Sequence, residues 1–539
     1  MRTIHATSAL LAFALILPAA ADFDGPAPVA WRWAEATTGA PAGAPQIDGD
    51  NVIVAVGGRI YSLARADGNQ NWRFPAAEPL DGVFRNGVVL SGGTAIAATD
   101  KNQIVAVDVK TGALRWQFTT PAPVGGQLAV AGSYVIAQVG GTELYAIDTQ
   151  SGSMPWTKPM ATGSLAGDLA AWQDNIIFAT SEGELKSVNA VSLKENWSVR
   201  FSKMSASSGP VLEGDTLYVN TGQYLTAMRA QSGGARWQRR IEEPLVFSPA
   251  ASSEAVVVVT ITGKVYSFNS SGKPIFGTGV DLRNGPVAGP AFVGKTIVQP
   301  TSNGAVNLVD PVSGDVLFSY IIPPLTKGLT TGTGNENAGG DAAGGGDVGS
   351  SGAGGGALGG GATGGSQQRV EVKYVAAAGP AAVAGNSMLI LGRDGSLLCF
   401  DKENGVDLLG PEIELLWPNP GDQMSGRPPF ELIFRILDGT SGVNPDSVMV
   451  KVGGNDYVGA YNRDGYLSIR VNQGGANPPF ADGRQTIMVS ASDWLGNKTE
   501  KSFVVSVDNT LPPLGSPRTT VGGTEAGGGR AGGGALGGG

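Results

Sequence analysis

Few side chains in this sequence have the types and spacing that catalysis uses. The one histidine, His5, falls inside an N-terminal leader, and the one cysteine, Cys399, lies in the apolar run Leu397-Leu398-Cys399-Phe400. No Ser/His or Cys/His pair for nucleophilic attack can be assembled from these. An apolar strand makes Cys399 read as a small core residue rather than a reactive thiol. Asp438, Asp493 and Asp508 offer the hard oxygen ligands that calcium takes. The simpler reading is that Asp438 and Asp493 cap turns and that Asp508-Asn509 opens a linker. Asp108, Asp148 and Asp310 each stand where a strand gives way to a turn, a place where a carboxylate accepts backbone N–H groups. Tyr61, Tyr145 and Tyr266 recur at one repeat position, which suits packing better than a ligand cage. A carboxylate pair for hydrolysis cannot be singled out among so many turn acids. The G-x-G-x-x-G matches sit in glycine runs that follow no strand and open no helix. Catalytic, cofactor-binding and metal-ligating residues are therefore all read as none, and no cofactor is expected.

The elements that carry these residues form a repeat. Between residues 45 and 405 one phrase recurs eight times: an alternating apolar strand, a Gly/Asn/Asp turn, a second strand, Asp/Asn-x-x-(Ser/Thr)-Gly, then a strand with tryptophan. The turn residues are Gly68, Gly112, Gly152, a degenerate turn near Leu193, Gly233, Gly272, Gly314 and Gly405, spaced 44, 40, 41, 40, 39, 42 and 91 apart. A period of about 40 matches the four strands of a propeller blade. In the third copy, Leu144, Ala146 and Asp148 share one strand face and Tyr145 and Ile147 the other, so both faces can pack between neighbouring blades. Trp72, Trp116, Trp156, Trp197 and Trp237 follow at one offset, with Phe276 and Phe318 near it in the next two copies, and all read as inter-blade packing. The eighth copy lacks its aromatic strand, while Trp31-Arg32-Trp33 stands unpaired ahead of the first. The N-terminal segment is thus expected to complete blade eight and remove the open edge.

Residues 1–21 have the order of a secretory signal: Arg2, an apolar run over 9–17, Pro18, then small residues, with cleavage expected after Ala21. That run is too short to span a bilayer comfortably, and no other stretch suggests a membrane-spanning chain. No cysteine follows the cleavage site to carry lipid. With a formal net charge of -9 and its cations scattered singly, the chain carries no electrostatic footprint for nucleic acid. A single cysteine permits no intrachain disulfide. Of the 83 glycines many fall in two blocks; residues 325–368, between copies seven and eight, are too poor in apolar side chains to order themselves, and 511–539 form a similar tail. The nonapeptide AGGGALGGG occurs in both.

The copies VAVDVKTGALRW (105–116) and YAIDTQSGSMPW (145–156) resemble the repeat shared by pyrroloquinoline-quinone enzymes and the propeller lipoprotein of the outer-membrane β-barrel assembly machinery. That resemblance implies an all-β fold, an eight-bladed β-propeller over 22–410. For the quinone enzymes it also implies adjacent cysteines, a Glu/Asn/Asp calcium cage, a catalytic aspartate and, in haem-bearing members, C-x-x-C-H. Cys399 stands alone, and no family catalytic residue maps onto a position here. The assembly-machinery lipoprotein implies a cofactor-free scaffold that meets its partners through loops.

Residues 411–510 change character, with short alternating strands such as FELIFRI, SVMVKV and KSFVVSV at sandwich spacing. LDGTSGVNPDSVMVKVGG and DGRQTIMVSASDWLGN resemble bacterial immunoglobulin-like domains. The expected function is a non-catalytic exported scaffold that contacts a protein or glycan partner in the periplasm or at the cell surface, in envelope or outer-membrane assembly. A pyrroloquinoline-quinone-dependent dehydrogenase is the alternative.

Overall fold

The computed structural model describes residues 23, 25–35, 37, 39–201, 209–325, 374–462 and 464–514. The leader, most of the glycine-rich insert and all but the first residues of the tail lie outside the described residues.

Eight four-stranded antiparallel sheets follow one another along the chain. The first uses Gln46–Asp48, Asn51–Val56, Arg59–Ala64 and Gln70–Phe74, and the second Phe84–Ser91, Thr94–Thr99, Gln103–Asp108 and Leu114–Thr119. The pattern repeats through the seventh, Ala291–Val293, Thr296–Pro300, Ala305–Val309 and Val316–Ile321. In each blade the two middle strands are apolar on both faces because a neighbouring blade covers each face. Tyr145 and Ile147 pack toward blade two, whereas Leu144 and Ala146 pack toward blade four. Outer strands alternate instead, as in Leu114–Thr119, where Trp116 is buried and its neighbours are exposed. The innermost strand of each blade contacts that of the next, and Ala382–Ala384 of blade eight returns to Gln46–Asp48 of blade one, so the ring is closed.

Blade eight contains Ala382–Ala384, Ser387–Leu391 and Ser396–Asp401, and its fourth strand is Val29–Ala34 from the N-terminus. The closure expected from the unpaired Trp31-Arg32-Trp33 is what forms: Trp31 pairs with Cys399 and Trp33 with Leu397. Closing the ring this way covers the edge that blade eight would otherwise expose.

The tryptophans have one repeated task. The indole N–H of Trp31 donates to the Arg65 carbonyl at 2.9 Å, Trp72 to Val109 at 2.8 Å, Trp116 to Thr149 at 3.0 Å, Trp156 to Ala190 at 2.7 Å, Trp197 to Ala230 at 2.8 Å and Trp237 to Ser270 at 2.8 Å. Each ring thereby docks into the Asp/Asn turn of the following blade and satisfies its one polar atom. The turn glycine must lack a side chain there: a Cβ on Gly112 would lie 2.7 Å from the Trp72 ring, and one on Gly272 2.5 Å from Trp237. In the fourth copy Leu193 takes the same left-handed conformation at φ 59°, so the degenerate sequence still makes the turn. Gly405, by contrast, is not among the left-handed residues; its missing side chain makes room for Pro28.

After blade eight the chain forms two further sheets around one core. Glu412–Trp417, Phe430–Leu437, Tyr466–Val471 and Ala460–Tyr461 make one; Gln423–Met424, Lys498–Val507, Gly483–Ser492, Met449–Val452 and Asn455–Tyr457 make the other. Their facing side chains, among them Phe430, Phe434, Ile469, Ile487 and Val489, share a single apolar cluster, the arrangement of a β-sandwich.

Candidate functional site

The turn acids do what their positions predict. Asp108 accepts the backbone N–H groups of Lys110 and Thr111, Asp148 those of Gln150 and Ser151, and Asp310 those of Val312 and Ser313. Arg115 beside Asp108, with the Thr111 bonds, holds that carboxyl down to about 2. Such carboxylates are committed to local geometry. Tyr61 is buried against Trp33 with ring centroids 4.8 Å apart, and Tyr145 meets Phe118 at 6.3 Å, so packing accounts for both. Cys399 is buried in the seam between blades eight and one, where burial pushes its thiol up to about 12. Burial of this kind keeps the thiol in its protonated form.

Among the described residues, a group of three acidic side chains gathers where the propeller meets the sandwich. Asp407, Asp438 and Asp493 place carboxylate oxygens within 4.8 Å of one another. Asp508, which the calcium alternative grouped with Asp438 and Asp493, is elsewhere, capping Thr510. Asp407 takes its place, and nothing in its local sequence marked it out. The capping reading of the other two also holds. One oxygen of Asp438 accepts the N–H groups of Thr440, Ser441 and Gly442 at 2.9, 2.7 and 3.0 Å, and one oxygen of Asp493 accepts those of Leu495 and Asn497, both at 2.8 Å. Asp407 is tied to both turns, through the Ser441 hydroxyl and through the Asn497 amide, which donates to its carbonyl at 3.1 Å.

Burial, with the Asp407 charge adding to it, raises the Asp438 carboxyl above the ordinary carboxylate range despite its three N–H donors. Three carboxylates this close can share a proton or, as hard oxygen donors, hold a calcium-like cation.

The elements around this cluster are joined to the propeller by side chains from both sides. The Tyr320 hydroxyl donates to the Gly439 carbonyl at 2.7 Å, the Trp494 indole N–H to the Ser319 carbonyl at 3.2 Å, and Asn303 to Asp464 at 2.7 Å. The Val29 N–H donates to the Thr440 carbonyl at 2.8 Å, so the ring-closing strand also touches the sandwich. Trp494 lies 6.2 Å from Phe318 in an edge contact and joins the apolar cluster between blades seven and eight. Residues as far apart in the chain as Val29 and Thr440 meet here, and no periodicity in the sequence announces it.

Known proteins are similar to this chain over the propeller repeats. The sequence model described as outer membrane protein assembly factor BamB matches residues 29–123, 56–199 and 181–408. A curated relative, the outer membrane protein assembly factor BamB of Bordetella pertussis, is 24% identical over 240 residues, which is 41% of this chain and 61% of that protein. The chain thus matches less than two thirds of that relative's length. Among solved structures, the crystal structure of BamB from Moraxella catarrhalis covers 68% of this chain and 95% of its own, at 15% identity and a TM-score of 0.49. A europium-containing methanol dehydrogenase covers 55% of this chain and 80% of its own, at 12% identity and a TM-score of 0.44. Among the described residues no helix is long and apolar enough to cross a membrane.

Proposed function

Because this chain belongs to the family described as outer membrane protein assembly factor BamB, we propose that it is a non-catalytic scaffold of the cell envelope that contacts a protein partner during outer-membrane assembly. The observation that carries this reading is the family match itself, which runs from the ring-closing strand to the end of blade eight. Organisation as an exported leader over 1–21, a propeller over 22–410, an immunoglobulin-like sandwich over 411–510 and a glycine-rich tail over 511–539 belongs to the same proposal. The acids at strand-to-turn junctions are spent on capping, and Cys399 on packing, which favours contact over turnover. Because the sandwich is bonded to blades seven and eight, a partner meets both as one surface.

The test is affinity capture from a detergent-solubilised envelope with the full chain as bait, expected to recover proteins of the β-barrel assembly machinery. Titration with pyrroloquinoline quinone and calcium runs beside it. Failure to capture such proteins, together with saturable quinone binding and dye-linked oxidation of an alcohol or sugar, would replace the scaffold with a dehydrogenase.

A further inference from the structure

The seams of the ring are closed to different degrees. Blade six is made of Ala250–Ala251, Ala255–Val259, Lys264–Asn269 and Val280–Asp281. Its outer strand pairs only through Asp281 with Lys264 and Val280 with Val265, apart from one bridge between Phe268 and Pro274. In blade two, by contrast, the outer strand pairs from Gln103 with Thr119 to Val107 with Leu114. Blade three also has a short outer strand, Met160–Ala161, but Trp156 docks it to the Ala190 carbonyl of blade four. Phe276, which takes the tryptophan's place in blade six, lies beside Gly314 and has no N–H to donate to the turn. The seam between blades seven and eight lacks a docked indole too, yet Phe318 and Tyr320 pack across it on Phe400, with Trp494 against Phe318.

The two faces that meet between blades six and seven are also unlike. Blade six offers Val257, Val259 and Val265, which pack on Ile297 and Val309 of blade seven. On that same face of blade seven, Gln299, Asn307 and Ser319 stand opposite one another on three strands, where blade one has Val54 opposite Tyr61 and blade two Ala97 opposite Val105. The bonds of this polar row stay within blade seven. The Asn307 amide donates to the Gln299 carbonyl and the Thr301 hydroxyl, both at 3.2 Å, and the Ser319 hydroxyl to the Asn307 side-chain oxygen at 2.9 Å. The Gln299 amide donates to the carbonyls of Ala288 and Pro300 at 2.9 and 2.8 Å. Its side-chain oxygen has no protein partner, and neither has the hydroxyl of Ser267, which shares its face of blade six with Val257 and Val265. Both residues are buried. Valines laid on a polar row hold it less firmly than valines laid on valines, and separation returns both unpartnered groups to water. Each blade is its own sheet, so parting two faces breaks no backbone ladder.

We propose that the seam between blades six and seven is the line along which the ring opens. Blade seven, bonded to the sandwich through Asn303 and Asp464, Tyr320 and Gly439, and Trp494 and Ser319, parts from blade six while the tryptophan-docked seams stay closed. This inference is separate from the partner reading, since opening is measured on the chain alone.

The test introduces a thiol into the seam with Ser267→Cys and follows its alkylation by iodoacetamide in the native full chain, peptide by peptide. Cys399, buried between blades eight and one, is the internal reference. The introduced thiol is expected to react at least about fivefold faster than Cys399, the ratio that one docking hydrogen bond of ordinary strength gives. Adding Phe276→Trp aims an indole N–H at the Pro311 carbonyl, which holds the place of Val109 and Ser270 in the docked turns, and is expected to slow that reaction by a similar factor. Equal reactivity of the two thiols overturns the proposal, as does a rate that Phe276→Trp leaves unchanged. So does labelling of both thiols with one common denaturant dependence, which would mean that only whole-chain unfolding exposes them. Ser267→Ala gives the blade the residue found at Ala106, Ala146 and Ala227 and is expected to melt no lower than the parent. A lower melting temperature would show the hydroxyl holding the seam shut, and would overturn the proposal as well.

Discussion

Six seams between blades follow one rule and two do not. From blade eight to blade one, and onward to the seam between blades five and six, a tryptophan docks into the next turn through its indole N–H. Between blades six and seven the ring is Phe276, with Val280 nearer the turn glycine, Gly314. Between seven and eight, Phe318 turns into a cluster with Tyr320, Phe400 and Trp494. The second departure lies where the sandwich attaches. A repeat that needs only its neighbours is self-sufficient, whereas the last seam has taken a tryptophan from outside the ring. The comparison teaches that the sandwich is part of how the propeller closes on that side, not an appendage to it.

The sharpest way to break that comparison is at the closing strand. Trp31→Ala removes a buried ring, its hydrogen bond and the lock between blades eight and one, and should cost about 3–5 kcal/mol. Phe276→Ala, which removes a half-buried ring with no polar bond, should cost about half as much. Calorimetric melting of the two variants checks the ranking; equal losses would mean that the indole docking adds nothing to plain burial.

Trp494→Ala comes next. It deletes the ring against Phe318 and the bond to the Ser319 carbonyl, at about 2–3 kcal/mol, with part of that loss at the junction. Limited proteolysis should then cut between residues 402 and 411, where the parent resists. A variant as resistant as the parent would return the sandwich to the status of an appendage.

A smaller effect tests the turn rule itself. Leu193 holds φ 59°, a conformation that costs a side chain about 1–2 kcal/mol, while every other docked turn has glycine. Leu193→Gly should raise stability by about 0.5–1 kcal/mol once the added freedom of the unfolded chain is discounted. A loss instead would show that the leucine, though exposed, packs more usefully than its strain costs.

These effects also mark what was legible beforehand. The propeller could be read because its information is periodic: a turn glycine, a turn acid or amide and an aromatic recur at near-fixed offsets, and most copies carry all three. Even the closing strand was visible, as a missing aromatic at one end and a spare one at the other. The junction was not. Asp407 meets Asp438 and Asp493, Trp494 meets Ser319, and Asn303 meets Asp464 through contacts that each occur once.

The carboxylates of that junction supply the finest test. Since burial and the neighbouring Asp407 raise the Asp438 carboxyl, its ionised form is disfavoured in the folded state relative to the unfolded one. When both states are protonated, in strong acid, this costs nothing. The penalty appears as pH rises through the unfolded carboxylate value near 4 and is complete above the raised folded value. Asp438→Asn keeps an oxygen for the N–H groups of Thr440, Ser441 and Gly442 while removing the charge that faces Asp407 and Asp493. The variant should therefore melt higher than the parent at neutral pH, by about 0.5–1 kcal/mol, with the gain vanishing in acid. Other carboxyls, Asp108, Asp148 and Asp401 among them, are shifted downward and lose stabilisation as pH falls. They are common to both proteins, so the parent–variant difference isolates Asp438. If the parent instead gains stability on adding calcium at neutral pH and the variant does not, the three oxygens share a cation rather than a proton. The junction between ring and sandwich is then set by an ion, whereas the six tryptophan seams need none.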